Sequence, residues 1–262
     1  LKYIALLRSE LKQQVLLSLL RSDKKLADLK AEIDSTETTI LHVLKEFEKL
    51  NLTKKTAGTY SLSPLGRIEA QLCEDSYATA QVMANFKDFW LNHNVAPIPP
   101  SLLYRLGALQ DAQLIKSQNS ELGKVHDTFL KMMADTKRVI GTSPIFHPDF
   151  VGVFKHVLNS GGTMELVVTN EVFNKTFESA ITTRDGELFQ KYLIDGQLKI
   201  YVVDDLKIAL TVTESIISLG LYHLNGEYDY TTDLVSTNPK ALSLGEDIYR
   251  LYLEKAERVK FS

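Results

Sequence analysis

The stretch from Lys24 to Leu62 reads KKLADLKAEIDSTETTILHVLKEFEKLNLTKKTAGTYSL, and its spacing decides the fold expected of the N-terminal part of the chain. At about 100° per residue, Ser35, Thr38, Thr39, His42, Lys45, Glu46 and Lys49 fall within an arc of roughly 120°, with Ile40, Val43, Leu44, Phe47 and Leu50 opposite. This is a helix with one apolar face to bury and one polar face left open. Asp34 or Ser35 is placed to cap it, since either side-chain oxygen can accept a hydrogen bond from the first-turn amides. Lys24 to Ala31 predicts a shorter helix before it, with Leu26, Leu29 and Ile33 as its contacts. After Leu52, β-formers flank Ala57-Gly58, the pattern of a two-stranded wing.

Toward the N-terminus, Leu11, Val15, Leu16, Leu19 and Leu20 predict a helix over Ser9 to Leu20, closed by Arg21-Ser22-Asp23. Toward the C-terminus, Ser63 can cap a new helix with Pro64 at its first position, where a missing amide costs nothing. Three helices, a wing and the Ser63-Pro64-Leu65-Gly66 exit resemble a winged helix-turn-helix, assigned to residues 1–70.

A helix with such a face fits the major groove, where Ser35, Thr36, Thr38, Thr39 and His42 can donate to and accept from base edges. Lys45 and Lys49 further along, and Lys54 and Lys55 on the wing, can meet phosphates without reading sequence. The alternative is the ordinary solvated face of a helix; the wing and the exit favour double-stranded DNA. Glu37 and Glu46 on or beside the face oppose affinity, which predicts a homodimer with twice the phosphate contacts.

Composition sets the frame. The chain has 262 residues, 44% hydrophobic and 24% charged, enough for two cores. Net charge is −3, unevenly divided: residues 1–70 hold 12 Lys and Arg against 9 Asp and Glu, which leaves 18 against 24 of the chain's 30 and 33. A slightly basic module is thus carried by an acidic body. One cysteine, Cys73, excludes an intrachain disulfide and a multi-cysteine zinc site, and its apolar helical setting predicts a buried inert thiol. No apolar run approaches the ~18 to 20 residues of a membrane span and no signal-peptide pattern opens the chain, so a cytoplasmic protein without membrane contact is expected.

From Pro64 to about Asn92 a helix carries Tyr77, Val82, Met83, Phe86, Phe89 and Trp90, and its aromatic end is the expected dimerisation surface. His93-Asn94-Val95-Ala96-Pro97-Ile98-Pro99-Pro100 reads as a linker and a domain border, and Ser101 to Ala134 as further helix. Residues 71–136 are therefore expected to be a helical linker, and residues 137–262 an α/β domain. In the latter, strands at Lys137 to Gly141, Met164 to Thr169 and Lys199 to Val203 alternate with helices at Asp149 to Asn159 and Glu187 to Ile194. Lys207 to Val212 and Ser215 to Tyr222 read as an antiparallel pair, Leu234 to Ser236 as a weak strand, and Pro239 to Val259 as the last helix. The pattern predicts a mixed sheet in an α/β layer.

Catalytic patterns are missing from the sequence. None of the six histidines has a second one three or four residues away with a glutamate between, so no metal or other cofactor is expected; His147 and His156, with Asp149 close by, are the nearest approach. There is no Gly-x-Ser-x-Gly elbow and no phosphate-binding glycine loop. Gly220 to Tyr230 is the most polar and aromatic loop, and with Ser143 and His147 its Tyr222, Tyr228 and Asp229 are the candidates to line a pocket for a small-molecule ligand; packing tyrosines at a hairpin end are the alternative.

Together with the winged pattern, His93 to Pro99, Ile140-Gly141-Thr142-Ser143-Pro144-Ile145-Phe146-His147-Pro148-Asp149-Phe150, and Gly220-Leu221-Tyr222 with Gly226-Glu227-Tyr228-Asp229 resemble the archaeal transcriptional regulators related to the methanogenesis (filament-type) regulator. The resemblance covers nearly the whole chain. It implies a DNA-binding regulator whose C-terminal sensor domain is similar in fold to one half of the phospholipase-D-like proteins. The catalytic members of that superfamily use a histidine followed two residues later by lysine, and no histidine here is so followed. A non-catalytic regulator is expected; an enzyme on a phosphorylated or nucleotide substrate, with the winged helix as a docking module, and a protein-interaction module are the alternatives.

Overall fold

The computed structural model of the chain describes residues 9–117, 124–182 and 185–259. It divides into two compact units, Leu1–Ala80 and Gln81–Ser262.

The first unit runs α1 (Glu10–Arg21), β1 (Lys24–Lys25), α2 (Leu26–Glu32), α3 (Glu37–Lys49), β2 (Thr53–Thr56), β3 (Thr59–Leu62) and the start of α4 (Pro64–Asn85). The strands form an antiparallel sheet in the order β1-β3-β2. Val15, Leu16 and Leu19 of α1, Leu29 of α2, and Ile40, Val43, Leu44 and Phe47 of α3 are buried together with Leu52, Tyr60 and Leu62. Helical spacing thus decides which α3 face is withdrawn from water, and burial of these apolar side chains, about 1.5–3 kcal/mol each, drives the packing. The α3 cap differs from expectation: Thr36, not Asp34 or Ser35, is the residue whose Oγ1 accepts from the Thr39 amide, at 3.2 Å. The chain is still turning at Ser35, whose amide donates to the Ile33 carbonyl at 2.8 Å. Between β2 and β3, Ala57 and Gly58 both have positive φ, 49° and 81°, which matches the twist of a two-residue hairpin. Cys73 is buried in this core, and burial together with the Glu69 charge pushes its thiol up to about 11.

The second unit continues with α5 (Lys87–Asn92), α6 (Pro100–Leu103), a 3-10 turn (Leu106–Leu109), β4 (Gln113–Lys116), α7 (Lys124–Met133), β5 (Arg138–Ser143), α8 (Asp149–Asn159), β6 (Thr163–Thr169), α9 (Asn170–Thr182) and α10 (Gly186–Ile194). It closes with β7 (Leu198–Val203), β8 (Ile208–Val212), β9 (Ile217–Leu221), β10 (Thr232–Ser236), α11 (Pro239–Leu253) and β11 (Glu257–Arg258). Its mixed sheet has the order β11-β7-β6-β5-β8-β9-β10-β4, with β5, β6 and β7 parallel and the remaining pairs antiparallel. Two cores cover the two faces. Along β6, Met164, Leu166 and Val168 enter one with α8 and α10, whereas Val167 enters the other with α11. This is the period-two alternation of a sheet buried on both sides.

Four expectations are corrected here. The border lies within α4, between Ala80 and Gln81, and the prolines belong to the second unit: Ile98 is fully buried and the Pro97 carbonyl accepts from the Tyr252 hydroxyl at 2.7 Å. Residues 101–134 are not all helix, because β4 pairs with β10 through Leu114 and Leu234. The last helix stops at Leu253, and Glu257 and Arg258 pair with β7 instead. Phe89 is buried in the second unit's core with Phe86 and Trp90 packed against it, so these aromatics are not the surface expected for a dimer.

Candidate functional site

On α3 and the β2–β3 hairpin, Thr36, Thr38, Thr39, His42, Lys45, Lys49, Lys54 and Lys55 are all exposed and Ser35 is half-buried. Thr36 and Thr39 hold each other, Oγ1 to Oγ1, at 2.6 Å, which fixes the first turn of the face. Glu46, counted against anion binding in the sequence, is paired with Lys12 of α1 at 2.6 Å. That partner is invisible to a pattern read along α3 alone. Lys55 lies over the ring of Tyr60, its register partner across the hairpin, with Nζ 5.0 Å from the centroid. Among the described residues Lys45, Lys49 and Lys54 have no carboxylate within ion-pair distance.

In the second unit a cavity of about 370 Å³ lies against one face of the sheet. Phe129 of α7, Phe150 and Phe154 of α8 and Met164 and Leu166 of β6 give it an apolar wall, and Ser218, Tyr228, Tyr230 and Asp233 a polar one. Of the expected ligand residues, Ser143, His147 and Tyr228 line it. Tyr222 does not line it, but packs edge-on against Tyr228 with centroids 5.4 Å apart. Asp229 belongs elsewhere: its carboxylate is buried and lies 3.0 Å from His93 Nε2, with the Thr231 amide donating to it at 2.8 Å. In the connection between β9 and β10, Tyr228 makes an isolated bridge with Tyr222, and its neighbour Asp229 is held by His93 instead.

Asp233, like Ser218 and His126, lines this cavity without having been expected from the sequence. It sits within β10, one residue before the strand start inferred from Leu234, and a carboxylate between buried strand positions was the available signal. Ser218 donates to its Oδ2 at 2.9 Å, while Oδ1 is buried and has no hydrogen-bond partner among the described residues. Burial pushes its carboxyl up to about 7, against the Ser218 hydrogen bond and with the Asp229 charge. Burial, with the charges of Asp233 and Asp229 adding to it, pushes the Tyr228 hydroxyl well up too. For Asp229 burial also pulls upward, yet the Thr231 hydroxyl and amide, Thr232 and His93 outweigh it and hold the carboxyl below the usual range.

Two trios of metal-ligating side chains converge among the described residues, His93 with His223 and Asp229, and His126 with His147 and Asp149; in each, the donor atoms lie within 4.8 Å of one another. His156, the sequence-based partner of His147, instead faces the Ala134 carbonyl at 2.7 Å. The first trio is mostly buried and the second lies at the edge of the cavity.

Residues 2–77 match the model of the N-terminal domain of the methanogenesis regulatory protein FilR1, and residues 122–255 that of its middle domain. The chain belongs to the FilR1 family. The two matched segments fall one in each structural unit, and the family is that of the archaeal regulators whose resemblance the sequence carries. Methanogenesis regulatory protein FilR1 of Methanothrix harundinacea (strain 6Ac) is 27% identical over 258 residues, which cover 96% of this chain and 56% of that protein. The chain thus spans about half the length of this curated relative of the family. Among solved structures, the archaeal chromatin protein TrmBL2 is 13% identical, with a TM-score of 0.46 over 93% of this chain and 92% of that one. Phosphatidylserine synthase of Haemophilus influenzae Rd KW20 is 15% identical, with a TM-score of 0.42 over 57% of this chain and 39% of that one. No helix among the described residues is long and apolar enough to cross a membrane.

Proposed function

We propose that this member of the FilR1 family is a sequence-specific DNA-binding transcriptional regulator that acts as a homodimer on double-stranded DNA. One observation carries the reading: the side of α3 opposite its buried stripe exposes Thr38, Thr39, His42, Lys45 and Lys49, and among the described residues Lys45, Lys49 and Lys54 are left without acidic partners. The first unit is read as a winged helix-turn-helix, with α3 as the helix that enters the major groove and the β2–β3 hairpin as its wing. Thr38, Thr39 and His42 then meet base edges, and the lysines meet phosphates. Leu65, Ile68 and Leu72, exposed along α4, support dimerisation through the first unit.

The second unit is read as a sensor with a fold like one half of the phospholipase-D-like proteins and without their chemistry. Its cavity of about 370 Å³ is of a size that takes small molecules, and its division into aromatic and polar walls suits an amphipathic ligand. DNA binding is tested by anisotropy of a labelled fragment of the protein's own promoter, with unlabelled specific and unrelated duplexes as competitors. Equal competition by both would remove the regulator reading. A thermal-shift screen with amphipathic metabolites tests the sensor, since a ligand that binds the native state raises the melting temperature with concentration. A phosphodiester turnover assay that gave product would replace the non-catalytic reading with an enzymatic one.

A further inference from the structure

We propose that His126, His147 and Asp149 form a binding site for a divalent transition-metal ion of the zinc class at the edge of the aromatic cavity. The three come from separate places: α7, the β5–α8 connection and the first position of α8. Asp149 Oδ2 is 2.7 Å from His126 Nε2 and 3.7 Å from His147 Nδ1, and the two rings are 4.2 Å apart, tilted by 40°. The Asp149 amide donates to His147 Nδ1 at 3.3 Å, which makes that nitrogen the lone-pair bearer. Two imidazole nitrogens and a carboxylate are the donor set of zinc and its neighbours, whereas magnesium and calcium take oxygen ligands.

As a solvent-exposed ion pair the trio would contribute little, because water screens it. As a metal site it gains a role from its position. Both histidines line the cavity, and three protein donors leave at least one coordination position open. A cavity molecule with an anionic head could complete the shell while its apolar body lies against Phe129 and Phe150. That last step rests on the sensor reading; the metal site does not.

The other trio is a less open arrangement. The His93 and Asp229 side chains are only 4% and 3% exposed, so that trio is closed to an ion arriving from solvent. It therefore serves as the internal control. Untagged full-length protein is titrated with cobalt(II), followed by its visible ligand-field bands, and then with zinc as competitor. Binding of one cobalt that zinc displaces is expected, weakened at least about 100-fold by His126→Ala and by Asp149→Asn and unchanged by His223→Ala. Thermal melting checks that each variant is folded, and Asp149→Asn stands alone should His126→Ala fail. The proposal is overturned if wild-type protein gives no cobalt bands and retains no zinc on dialysis. It is equally overturned if Asp149→Asn binds like wild type or if His223→Ala is the variant that loses the ion. DNA affinity, measured on the same samples, reports separately on the regulator reading.

Discussion

His93 Nε2 and Asp229 Oδ2 lie 3.0 Å apart with side chains only 4% and 3% exposed, across a separation of 136 residues. This contact ties the end of α5 to the connection between β9 and β10. Around it the Asn94 amide donates to the Tyr222 carbonyl at 2.8 Å, so the segment that reads as a linker is laced into the sheet.

Removing one partner of a buried, hydrogen-bonded pair leaves the other uncompensated. Asp229→Ala should therefore lower the unfolding free energy by about 3–5 kcal/mol, read in urea. Because Asp229 is held below the usual carboxylate range, its contribution is complete above that range and is lost as pH falls through the depressed value. A loss under about 1 kcal/mol, or one independent of acid, would mean that the pair only fills space.

Asp233 has the opposite sign. Its carboxyl is pushed up to about 7, so the folded state holds a proton that the unfolded chain has released, and stability falls as pH rises from the ordinary carboxylate range to about 7. Asp233→Asn should remove that slope and gain on the order of 1–3 kcal/mol over wild type at pH values above about 7, where the buried charge is present. Parallel stability-versus-pH curves for the two proteins would refute this.

Gly66 lies where α4 starts, and a Cβ there would sit 1.9 Å from the Leu52 carbonyl oxygen. That carbonyl also accepts from the Ser63 amide at 2.8 Å and cannot move aside freely. Gly66→Ala should cost roughly 3 kcal/mol or more despite the higher helix propensity of alanine. Calorimetry that found the variant as stable as wild type would show that α4 shifts to make room.

Thr36→Ala should destabilise the first unit by about 1 kcal/mol, the worth of an N-cap, whereas Ser35→Ala should be nearly neutral. Equal effects of the two substitutions, measured by urea unfolding, would return the cap to its sequence-predicted neighbour.

Lys54→Ala with Lys55→Ala should weaken DNA binding at a loss of stability no greater than about 1 kcal/mol, the worth of the exposed Lys55–Tyr60 contact. The slope of log affinity against log salt should fall by about 2, one for each lost phosphate contact. An unchanged slope would take the hairpin out of the interface.

The sequence by itself determined the elements whose reason is local. The stripe from Ile40 to Phe47 makes α3 a helix with a known buried face, and Thr53 to Leu62 folds into a hairpin because Ala57-Gly58 supplies its turn. The aliphatic run Leu166-Val167-Val168 is a strand covered on both sides for the same kind of reason. Only the tertiary structure decided what depends on distant chain meeting itself. β4 is a strand because β10 offers it a ladder, and Glu257-Arg258 is one because β7 has an open edge. Period and propensity carry no information about such partners, since the strand paired with β4 lies 116 or more positions away, Lys116 to Thr232, and the one paired with β11 lies 55 or more away, Glu257 to Val202. The same holds for the side-chain groups. His126 meets Asp149 and not His156, Glu46 is paired with Lys12, and Asp229 is held by His93 away from the cavity, each because folding places two segments side by side that no spacing along the chain connects.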